Sequence, residues 1–369
     1  MKSILLTIAI LIAGLYFYSL NFLVVVLAIS FLIFFHELGH FLVAKMFGVC
    51  VTVFSVGFGD KVVSKKIGET EYRLSAIPLG GYVSLKGQED LDPTARSDDK
   101  DSYNSLSPFK RILILFAGPF FNIILAFFLY IILGYVGVEK LAPKIGLISE
   151  NSAAFEAGLK VGDEILEINS QKITEWEEIS KNVKLEPLNL KIKRENEILN
   201  ITLTPKIGEK ENMFREKIKV PLIGISPKSE FVRIYNKGFS SITYALNETY
   251  KASTLILVSF EKLVSGVVPV KEMGGIIAIT DITAKASSNL SVLLIIVALI
   301  SVNLGIINLF PVPALDGGHI VFNLYELIFK KPVPQKVFVG LSYVGIGLLL
   351  TIMVFTVVND IMRITGAYN

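Results

Sequence analysis

The sequence predicts a polytopic α-helical membrane protein that carries a small membrane-associated β-sheet and an inserted soluble α+β domain. The first observation is its apolar character: the 369 residues are 52% hydrophobic, with a mean hydropathy of +0.59. The second is a set of four uncharged stretches, each longer than the roughly 20 apolar residues that cross a bilayer. They are residues 3–35, 112–138, 286–315 and 337–359. The third is a polar region, 140–226, in which short strand patterns alternate with polar turns.

The first uncharged stretch is too long for a single spanning helix. At 1.5 Å per residue it would reach about 50 Å, whereas the hydrocarbon core is about 30 Å thick. The sequence therefore predicts a break near Tyr18–Asn21 and an extra N-terminal transmembrane helix before it. A cleaved signal peptide is the alternative, because Met1-Lys2 precedes an apolar run. No clear small-x-small cleavage site precedes Asn21, which favours a retained helix.

The rest of the chain divides by charge and periodicity. Residues 48–110 are polar and rich in glycine turns, which predicts short strands and a solvated loop. Residues 229–264 place apolar side chains three and four positions apart, which predicts an amphipathic helix near the membrane surface. In chain order, the predicted regions are an extra transmembrane helix (1–20), the first principal helix (21–47), the strands and loop (48–110), the second principal helix (111–138), the soluble domain (140–226), an amphipathic membrane-surface region (229–285), the third principal helix (286–320) and the last helix (337–360).

The distribution of lysine predicts the orientation in the cell (inner) membrane. The loop 330–336 carries three lysines and no acid, so the positive-inside rule assigns it to the cytoplasm. Crossing backwards from this loop, residues 140–226 lie on the outer (periplasmic or extracellular) side and residues 48–110 on the cytoplasmic side. The extra N-terminal helix then leaves Met1 in the cytoplasm.

Composition excludes several classes of partner and site. The formal net charge is only +3, and no basic patch is interleaved with aromatic residues, so no nucleic-acid partner is expected. The single cysteine, Cys50, excludes an intrachain disulfide and a multi-cysteine metal site. Histidine is also scarce, with three residues in the chain.

Two of those histidines stand at metal-ligand spacing in His36-Glu37-Leu38-Gly39-His40. On a helix, positions four apart share one face, so both imidazoles can bind one Zn²⁺, while the adjacent Glu37 can act as general base. Ionisable side chains are costly inside an apolar helix unless they are paired or functional. The pattern therefore predicts a zinc site within the first principal helix.

A catalytic zinc site normally has three protein ligands and one open position. The candidate third ligand is Asp316, which follows an apolar span that Pro311 and Pro313 interrupt. Broken helices at membrane depth are tolerated inside protein or beside a water-filled cavity, where hydrolysis would occur. His319 is a rival ligand; the alternatives are that it supports one of the ligands or lies at the membrane interface.

Several segments together resemble one family, the site-2 proteases, which are intramembrane zinc metalloproteases. The match is to the bacterial RseP-type regulator of sigma-E protease group, and it runs from about Phe31 to Arg363. The segments that carry it are His36-Glu37-x-x-His40, Phe54–Gly59, Ile77–Val83, Ala117-Gly118-Pro119 with Asn122, Ser301–Pro311 and Asn308-x-x-Pro311-x-Pro313-x-Leu315-Asp316-Gly317-Gly318.

The resemblance implies that His36, His40 and Asp316 hold zinc, with Glu37 as general base and acid. It also implies that Asn308 helps bind the substrate backbone. The strands around 71–85, which include the candidate substrate-binding residues Gly80, Gly81 and Tyr82, are implied to dip into the membrane and pair with an unwound substrate. A helical substrate hides its peptide bonds, and pairing it with a sheet edge would expose them.

The soluble domain resembles a bacterial PDZ domain. The match rests on Ile145–Ile148, Ser152-Ala153-Ala154, Ala157-Gly158-Leu159 and Gly162–Asn169. Close members of the family often carry two such domains, but 140–226 has room for one. A single domain can still screen out proteins with bulky outer portions, and whether it binds peptides is left open.

The expected function is therefore regulated intramembrane proteolysis by a metalloendopeptidase. Its expected partners are single-pass membrane proteins, such as anti-sigma factors or remnant signal peptides, together with membrane lipid, and it is expected to act as a monomer. A membrane metal transporter is a second hypothesis, because intramembrane His, Glu and Asp also line ion pathways. A third is a non-catalytic receptor that reads partners through the PDZ-like domain.

Overall fold

The computed structural model describes residues 2–88 and 97–367. Its elements follow in chain order: α1 (Lys2–Tyr18), α2 (Asn21–Met46), β1 (Val51–Ile67), β2 (Thr70–Leu85), α3 (Pro108–Val136), β3 (Val138–Leu141), β4 (Ile145–Ile148), α4 (Ala153–Glu156), β5 (Glu164–Ile168), β6 (Gln171–Lys172), α5 (Trp176–Asn182), β7 (Leu188–Arg194), β8 (Glu197–Leu203), β9 (Lys206–Glu211), β10 (Lys217–Leu222), β11 (Ile225–Pro227), β12 (Phe231–Ile234), α6 (Phe239–Val264), α7 (Ile276–Ala286), α8 (Leu290–Asn308), α9 (Asp316–Phe329) and α10 (Gln335–Ile364).

The chain forms two compact units. The first, the membrane unit, comprises Met1–Leu133 and Phe239–Asn369, and the second, the inserted unit, is Gly134–Gly238. Four described helices of the membrane unit, α2, α3, α8 and α10, are long and apolar enough to cross a bilayer. This finding agrees with the predicted polytopic helical class.

The N-terminal break lies where helix length requires one. Ser19 has a left-handed backbone (φ 53°) and separates α1 from α2. The 17 residues of α1 make a helix of about 25 Å, shorter than a hydrocarbon core of about 30 Å. The expected extra transmembrane helix is therefore not among the four candidate spans, and α1 is a shorter apolar helix.

The strands β1 and β2 form a folded sheet beside α2. Residues 53–56 of β1 pair on one side with 71–74 and on the other with 81–84. Gly57 and Gly59, both with positive φ, bend β1, so that its later residues 61–67 also pair with 70–75. Residues 81–84 are paired to β1 alone within the described parts of β1 and β2, which makes them an edge of this sheet.

The predicted interruption after the third principal helix separates α8 from α9. Helix α8 ends at Asn308, and α9 begins at Asp316. Pro311 and Pro313, which cannot donate a backbone hydrogen bond, lie between them. As a result, Asp316 stands at the first turn of a new helix rather than within a continuous span.

A buried carboxylate ties α10 to α7. Asp360, 2% exposed, accepts hydrogen bonds from the backbone N–H groups of Gly275, Ile277 and Ala278 at 3.0–3.1 Å. These are donors that the first turn of α7 cannot satisfy within the helix. Asn359 adds a hydrogen bond to the carbonyl of Val270 at 3.2 Å.

The inserted unit is built around a four-stranded sheet in the order β6-β5-β7-β8, with three further two-stranded pairings. Fully buried aliphatic residues, such as Ile145, Ile165 and Leu188, form its core. Arg194 clamps the buried Asp163 with bonds of 2.8 and 2.7 Å. Burial opposes ionisation of Asp163, yet the hydrogen bonds from Arg194 and from the N–H of Lys160 lower the pKa of this carboxyl below its ordinary value.

The sequence predicted a helix over 229–264, and the structure differs at its beginning. Residues Phe231–Ile234 form strand β12, which pairs with β3, and the helix α6 starts only at Phe239. Spacings of three and four residues could not reveal a strand whose partner lies about 90 residues earlier. The predicted soluble region 140–226 lies within the inserted unit, which β3 and β12 extend at both ends.

Candidate active site

Three potential metal donors converge between α2 and α9. The Nε2 atoms of His36 and His40, one helical turn apart, are separated by 3.2 Å. Asp316 faces both imidazoles, with Oδ2 3.2 Å from Nε2 of His36 and Oδ1 3.5 Å from Nε2 of His40. Side chains from helices that are distant in sequence therefore form one compact group in the interior of the membrane unit.

His36, His40 and Asp316, called the donor triangle below, have a spacing that suits a tetrahedral zinc ion. With Zn–N and Zn–O bonds of about 2.0–2.1 Å, neighbouring ligand atoms of a tetrahedron lie about 3.3 Å apart. The two Nε2 atoms lie 3.2 Å apart, one oxygen of Asp316 lies 3.2 Å from Nε2 of His36, and the other oxygen lies 3.5 Å from Nε2 of His40. Two imidazoles and one carboxylate are also the ligand types of known catalytic zinc sites, and three ligands leave a fourth position open.

Hydrogen bonds behind the imidazoles orient them toward the centre of the triangle. Nδ1 of His40 lies 2.8 Å from the carbonyl oxygen of Ile114, so it carries the proton and leaves Nε2 as a lone-pair donor. Nδ1 of His36 lies 3.1 Å from the amide of the buried Asn122. Oδ1 of Asn122 has no partner within the described residues. Turning this amide over would let Oδ1 accept from Nδ1–H of His36, the tautomer that metal binding requires.

Two glycines let α2 and α3 approach closely enough for these contacts. A Cβ atom on Gly39 would lie 2.4 Å from the carbonyl oxygen of Ala117. A Cβ on Gly118 would lie 2.2 Å from Nε2 of His40. Any side chain at these positions would occupy space that the helix contact or the donor atom needs.

Glu37 lies next to the edge of the sheet. It lines the same cavity as His36, His40 and Asp316. A Cβ on Gly81 would lie 3.4 Å from Cγ of Glu37, so the edge residues 81–84 pass directly beside it. Among the candidate substrate-binding residues, Gly81 is therefore the one that lies against the Glu37 side chain.

The other candidate residues have different surroundings. Nδ2 of Asn308, the last residue of α8, lies 3.3 Å from Nε2 of His36. The rings of Tyr82 and Phe58 stack, with centroids 6.2 Å apart. A Cβ on Gly80 would overlap the Phe58 ring. His319 lines the cavity but is not part of the donor triangle. Its ring packs 5.6 Å from that of Phe338.

A cavity of about 740 Å³ extends from the donor triangle along α9. Besides the triangle, its walls include polar residues that the sequence analysis did not single out: Gln88, Arg111, Asn323 and Glu326. Arg111 donates to Glu326 at 2.6 Å, which joins α3 to α9. One signal was present in the sequence, because Asp316, His319, Asn323 and Glu326 recur at helical spacing.

The comparison with known families matches residues 24–352 to the model of Peptidase family M50. A presumed zinc metalloprotease of Campylobacter jejuni, Cj1068, is 55% identical over 99% of this chain and 100% of its own length. A presumed zinc metalloprotease of Helicobacter pylori strain J99 is 41% identical over 93% of this chain and 99% of its own. The regulator of sigma-W protease RasP of Bacillus subtilis is 29% identical over 90% of this chain and 96% of its own.

The fold and the site thus define a membrane-embedded peptidase. The chain belongs to Peptidase family M50, the site-2 protease family. This finding confirms the resemblance drawn from the sequence motifs, and it confirms the predicted enzyme class, a metalloendopeptidase.

Proposed function

We propose that this chain is a zinc-dependent intramembrane endopeptidase that hydrolyses peptide bonds within the transmembrane segments of single-pass membrane proteins. The observation that carries the proposal is the donor triangle beside Glu37, on a helix that is long and apolar enough to cross a membrane. A hydrolytic site on such a helix serves substrates that lie in the same bilayer. Regulated intramembrane proteolysis is therefore the class of function that we assign.

The predicted cofactor, Zn²⁺, is confirmed by the convergence of two imidazoles and a carboxylate, and by relatives that are named as zinc metalloproteases. We propose that His36, His40 and Asp316 hold it. Zinc bound there supplies an acidified water and a Lewis acid for the scissile carbonyl.

In this proposal, Glu37 moves the proton. Its carboxylate accepts a proton from the attacking water and then returns it to the nitrogen of the leaving amine. It follows His36 on α2, and its Cγ would lie 3.4 Å from a Cβ on Gly81, so the Glu37 side chain lies close to both the donor triangle and the sheet edge. The amide of Asn308, close to His36, is available to hold a carbonyl of the substrate.

The edge residues 81–84 position the substrate as an added strand. Their outward backbone N–H and C=O groups face no strand within the described sheet, and an unwound segment can pair with them. Gly81 lies against Glu37, because a Cβ at this position would be 3.4 Å from Cγ of Glu37; the same Cβ would be only 2.7 Å from the carbonyl oxygen of Ser55 in β1, so a larger residue would disturb the sheet. The substrate backbone would therefore run past the carboxylate that handles the proton.

The inserted unit is proposed to be a PDZ-like domain on the outer side of the cell membrane, with the metal centre toward the cytoplasmic side. The lysines of the loop 330–336 support this orientation. The proposed substrates are anti-sigma factors or remnant signal peptides. The similarity to a relative named as a regulator of sigma-W protease supports the first of these. A domain on the outer side would exclude proteins with bulky outer portions.

Replacement of the proposed base tests the mechanism. Glu37→Gln keeps the size of the side chain and removes the proton acceptor. The purified variant should keep one zinc per chain and lose cleavage of a tagged single-pass substrate by at least about 100-fold. Zinc content is measured by elemental analysis and cleavage by gel electrophoresis.

A matched variant, Glu248→Gln on α6, should retain both zinc and cleavage, since Glu248 pairs with Lys251 away from the donor triangle. Cleavage at the normal rate by Glu37→Gln would refute the mechanism. Zinc uptake into vesicles that contain the wild-type chain, with no cleavage of any peptide, would instead favour the metal transporter.

A further inference from the structure

One face of α9 forms a polar wall that begins at the donor triangle and continues away from it. Asp316, His319, Asn323 and Glu326 are spaced by three, four and three residues, and all four line the cavity. Glu326 is ten positions after Asp316, about 15 Å along the helix axis, and Asn323 is seven positions after it, about 10 Å. The wall is thus far longer than a metal centre requires.

The far end of this wall contains hydrogen-bonding atoms without partners. Oδ1 of Asn323, Nε of Arg111 and Oε1 of Gln88 are all buried and have no partner within the described residues. The three side chains line the same cavity. Asn323 is itself 7% exposed. Leaving such buried groups unpaired is unfavourable, and each one in a folded protein calls for an explanation.

The remaining atoms of these side chains are held in place. Nδ2 of Asn323 donates to the carbonyl of His319 at 2.8 Å, and a guanidinium N–H of Arg111 donates to Glu326 at 2.6 Å. The carboxamide and the guanidinium are therefore fixed on one side. Such a fixed wall is prepared for a ligand, because little side-chain entropy is lost when the ligand binds.

The chemistry of the unpartnered atoms matches a peptide main chain. Two of them are acceptors, which suit backbone N–H groups, and one is a donor, which suits a backbone carbonyl. An extended strand advances about 3.3 Å per residue, so the distance of about 10 Å to Asn323 corresponds to about three residues, and the distance of about 15 Å to Glu326, the partner of Arg111, to four or five. An extended peptide that leaves the donor triangle along α9 would reach Asn323 after about three residues and Arg111 after about four or five.

We infer that Asn323, Arg111 and Gln88 form a main-chain-binding subsite for the substrate, about three to five residues from the scissile bond on one side of it. The inference rests on the proposed protease function and deepens it. The subsite recognises backbone groups, so it tolerates many sequences while requiring a minimum length of extended chain. It therefore selects substrates by how far they unwind beyond the cut.

A substitution series separates this role from a structural one. Asn323→Ala removes the carboxamide. Asn323→Ser removes the acceptor oxygen but keeps a hydroxyl that can donate to the His319 carbonyl, as Ser342 does to Phe338 in α10. Val321→Ala, on the same helix but not lining the cavity, is the control. Correct folding is checked by zinc content and by the elution volume of each variant.

The experiment measures coupling between the subsite and substrate length. A single-pass peptide in detergent micelles is cut by the full-length enzyme, the scissile bond is mapped by mass spectrometry, and the peptide is shortened residue by residue from each end. For the wild type and Val321→Ala, we expect kcat/KM to fall about tenfold when the third to fifth residues on one side are removed. For Asn323→Ser and Asn323→Ala, the intact peptide should already be cut about tenfold less well, mainly through KM, and shortening should cost less than twofold.

Two outcomes would overturn the inference. In the first, shortening reduces the rates of wild type and Asn323→Ser by the same factor, so the residue and the distant substrate segment are independent. In the second, Asn323→Ser behaves as wild type while Asn323→Ala does not, so the carboxamide only supports α9. Either result would leave the proposed protease function standing, whereas a wild-type protein that holds zinc and cuts no peptide would remove both proposals.

Discussion

Gly118 sets the space available to a proposed metal donor. A Cβ at this position would lie 2.2 Å from Nε2 of His40, and His40 cannot turn away without losing its bond to Ile114. Gly118→Ala should therefore lower zinc affinity by about 10–100-fold, the range seen when groups that orient metal ligands are disturbed. The measurement is a zinc titration in competition with a chelator.

Gly347→Ala on α10 is the matched control, since a Cβ there meets nothing within 4 Å. It should bind zinc as the wild type does. Equal affinities of wild type and Gly118→Ala would show that His40 does not need its observed position, and the assignment of His40 as a ligand would fall.

The residues of the candidate site differ in how far sequence reasoning could reach them. His36, Glu37 and His40 are adjacent on one helix, so their spacing alone predicts a shared face. Asn122 lies on α3, 86 positions from His36. Its contact with the imidazole depends on the packing of two helices, which periodicity within one helix cannot reveal. The same holds for Arg111, whose partner Glu326 lies 215 positions away.

At the scale of elements, Asp360 joins α10 to α7. Asp360→Ala would leave the first N–H groups of α7 without acceptors in a buried position. We expect a local loss of about 2–3 kcal/mol, since hydrogen bonds to a charged group contribute about 1.5–3 kcal/mol each and water replaces part of them. Hydrogen exchange of the α7 amides should accelerate accordingly.

The control for this variant is Asp281→Ala on the exposed face of α7. Asp281 pairs with Lys285 one turn later, and exposed pairs of this kind contribute only about 0.3–0.5 kcal/mol. If exchange in α7 changed equally in both variants, Asp360 would not be the residue that holds this helix end.

The Asp163–Arg194 pair gives the inserted unit a pH dependence of defined sign. Because the pKa of Asp163 is lower in the folded chain than the value of about 3.9 expected when unfolded, the pair stabilises the fold above pH 3.9. That stabilisation is lost as the pH falls through the folded value. Asp163→Asn should therefore speed hydrogen exchange in β5 by about 10–100-fold at pH 6, and the difference from wild type should shrink below about pH 4.

Glu167→Gln is the comparison, because Glu167 pairs with Lys191 on the exposed side of the same strands. It should alter exchange little at either pH. A gap between wild type and Asp163→Asn that stayed constant from pH 6 to pH 3 would mean that ionisation of Asp163 does not support the fold.

Helix boundaries that depend on the length of an apolar stretch or on proline could be predicted from the sequence. The strand that depends on pairing with a distant part of the chain could not. The break at Ser19 follows from a stretch too long for one span, and the gap between α8 and α9 follows from Pro311 and Pro313. Strand β12 exists because β3 supplies its hydrogen-bond partners. Its four residues carry no local pattern strong enough to separate a strand from the start of a helix.

For the whole molecule, the proposed orientation is directly testable. In a Cys50→Ser background, Lys331→Cys should react with a membrane-impermeant maleimide only after the cells are opened, because loop 330–336 is proposed to be cytoplasmic. Lys210→Cys, in the exposed strand β9 of the inserted unit, should react in intact cells. The reverse labelling pattern would invert the proposed orientation of the chain.

The large-scale class of the protein followed from composition, whereas the junctions between its parts did not. Uncharged stretches indicate spanning helices because lipid excludes charge, and four helices of the described chain meet this criterion. The second unit is wider than the predicted 140–226, since β3 and β12 close it at both ends. This pairing of β3 with β12 depends on which strands come together in the folded chain, and composition does not reveal it.

The placement of the donor triangle also has a consequence for the synthesis of the chain. Asp316 follows His40 by 276 residues, which a ribosome needs roughly half a minute to add at about 10 residues per second. Until then the nascent chain has two imidazoles and no carboxylate from α9 to complete the group. A ribosome that stalls before α9 therefore leaves a fragment without the complete centre, and under the proposed mechanism such a fragment would not cleave neighbouring membrane proteins.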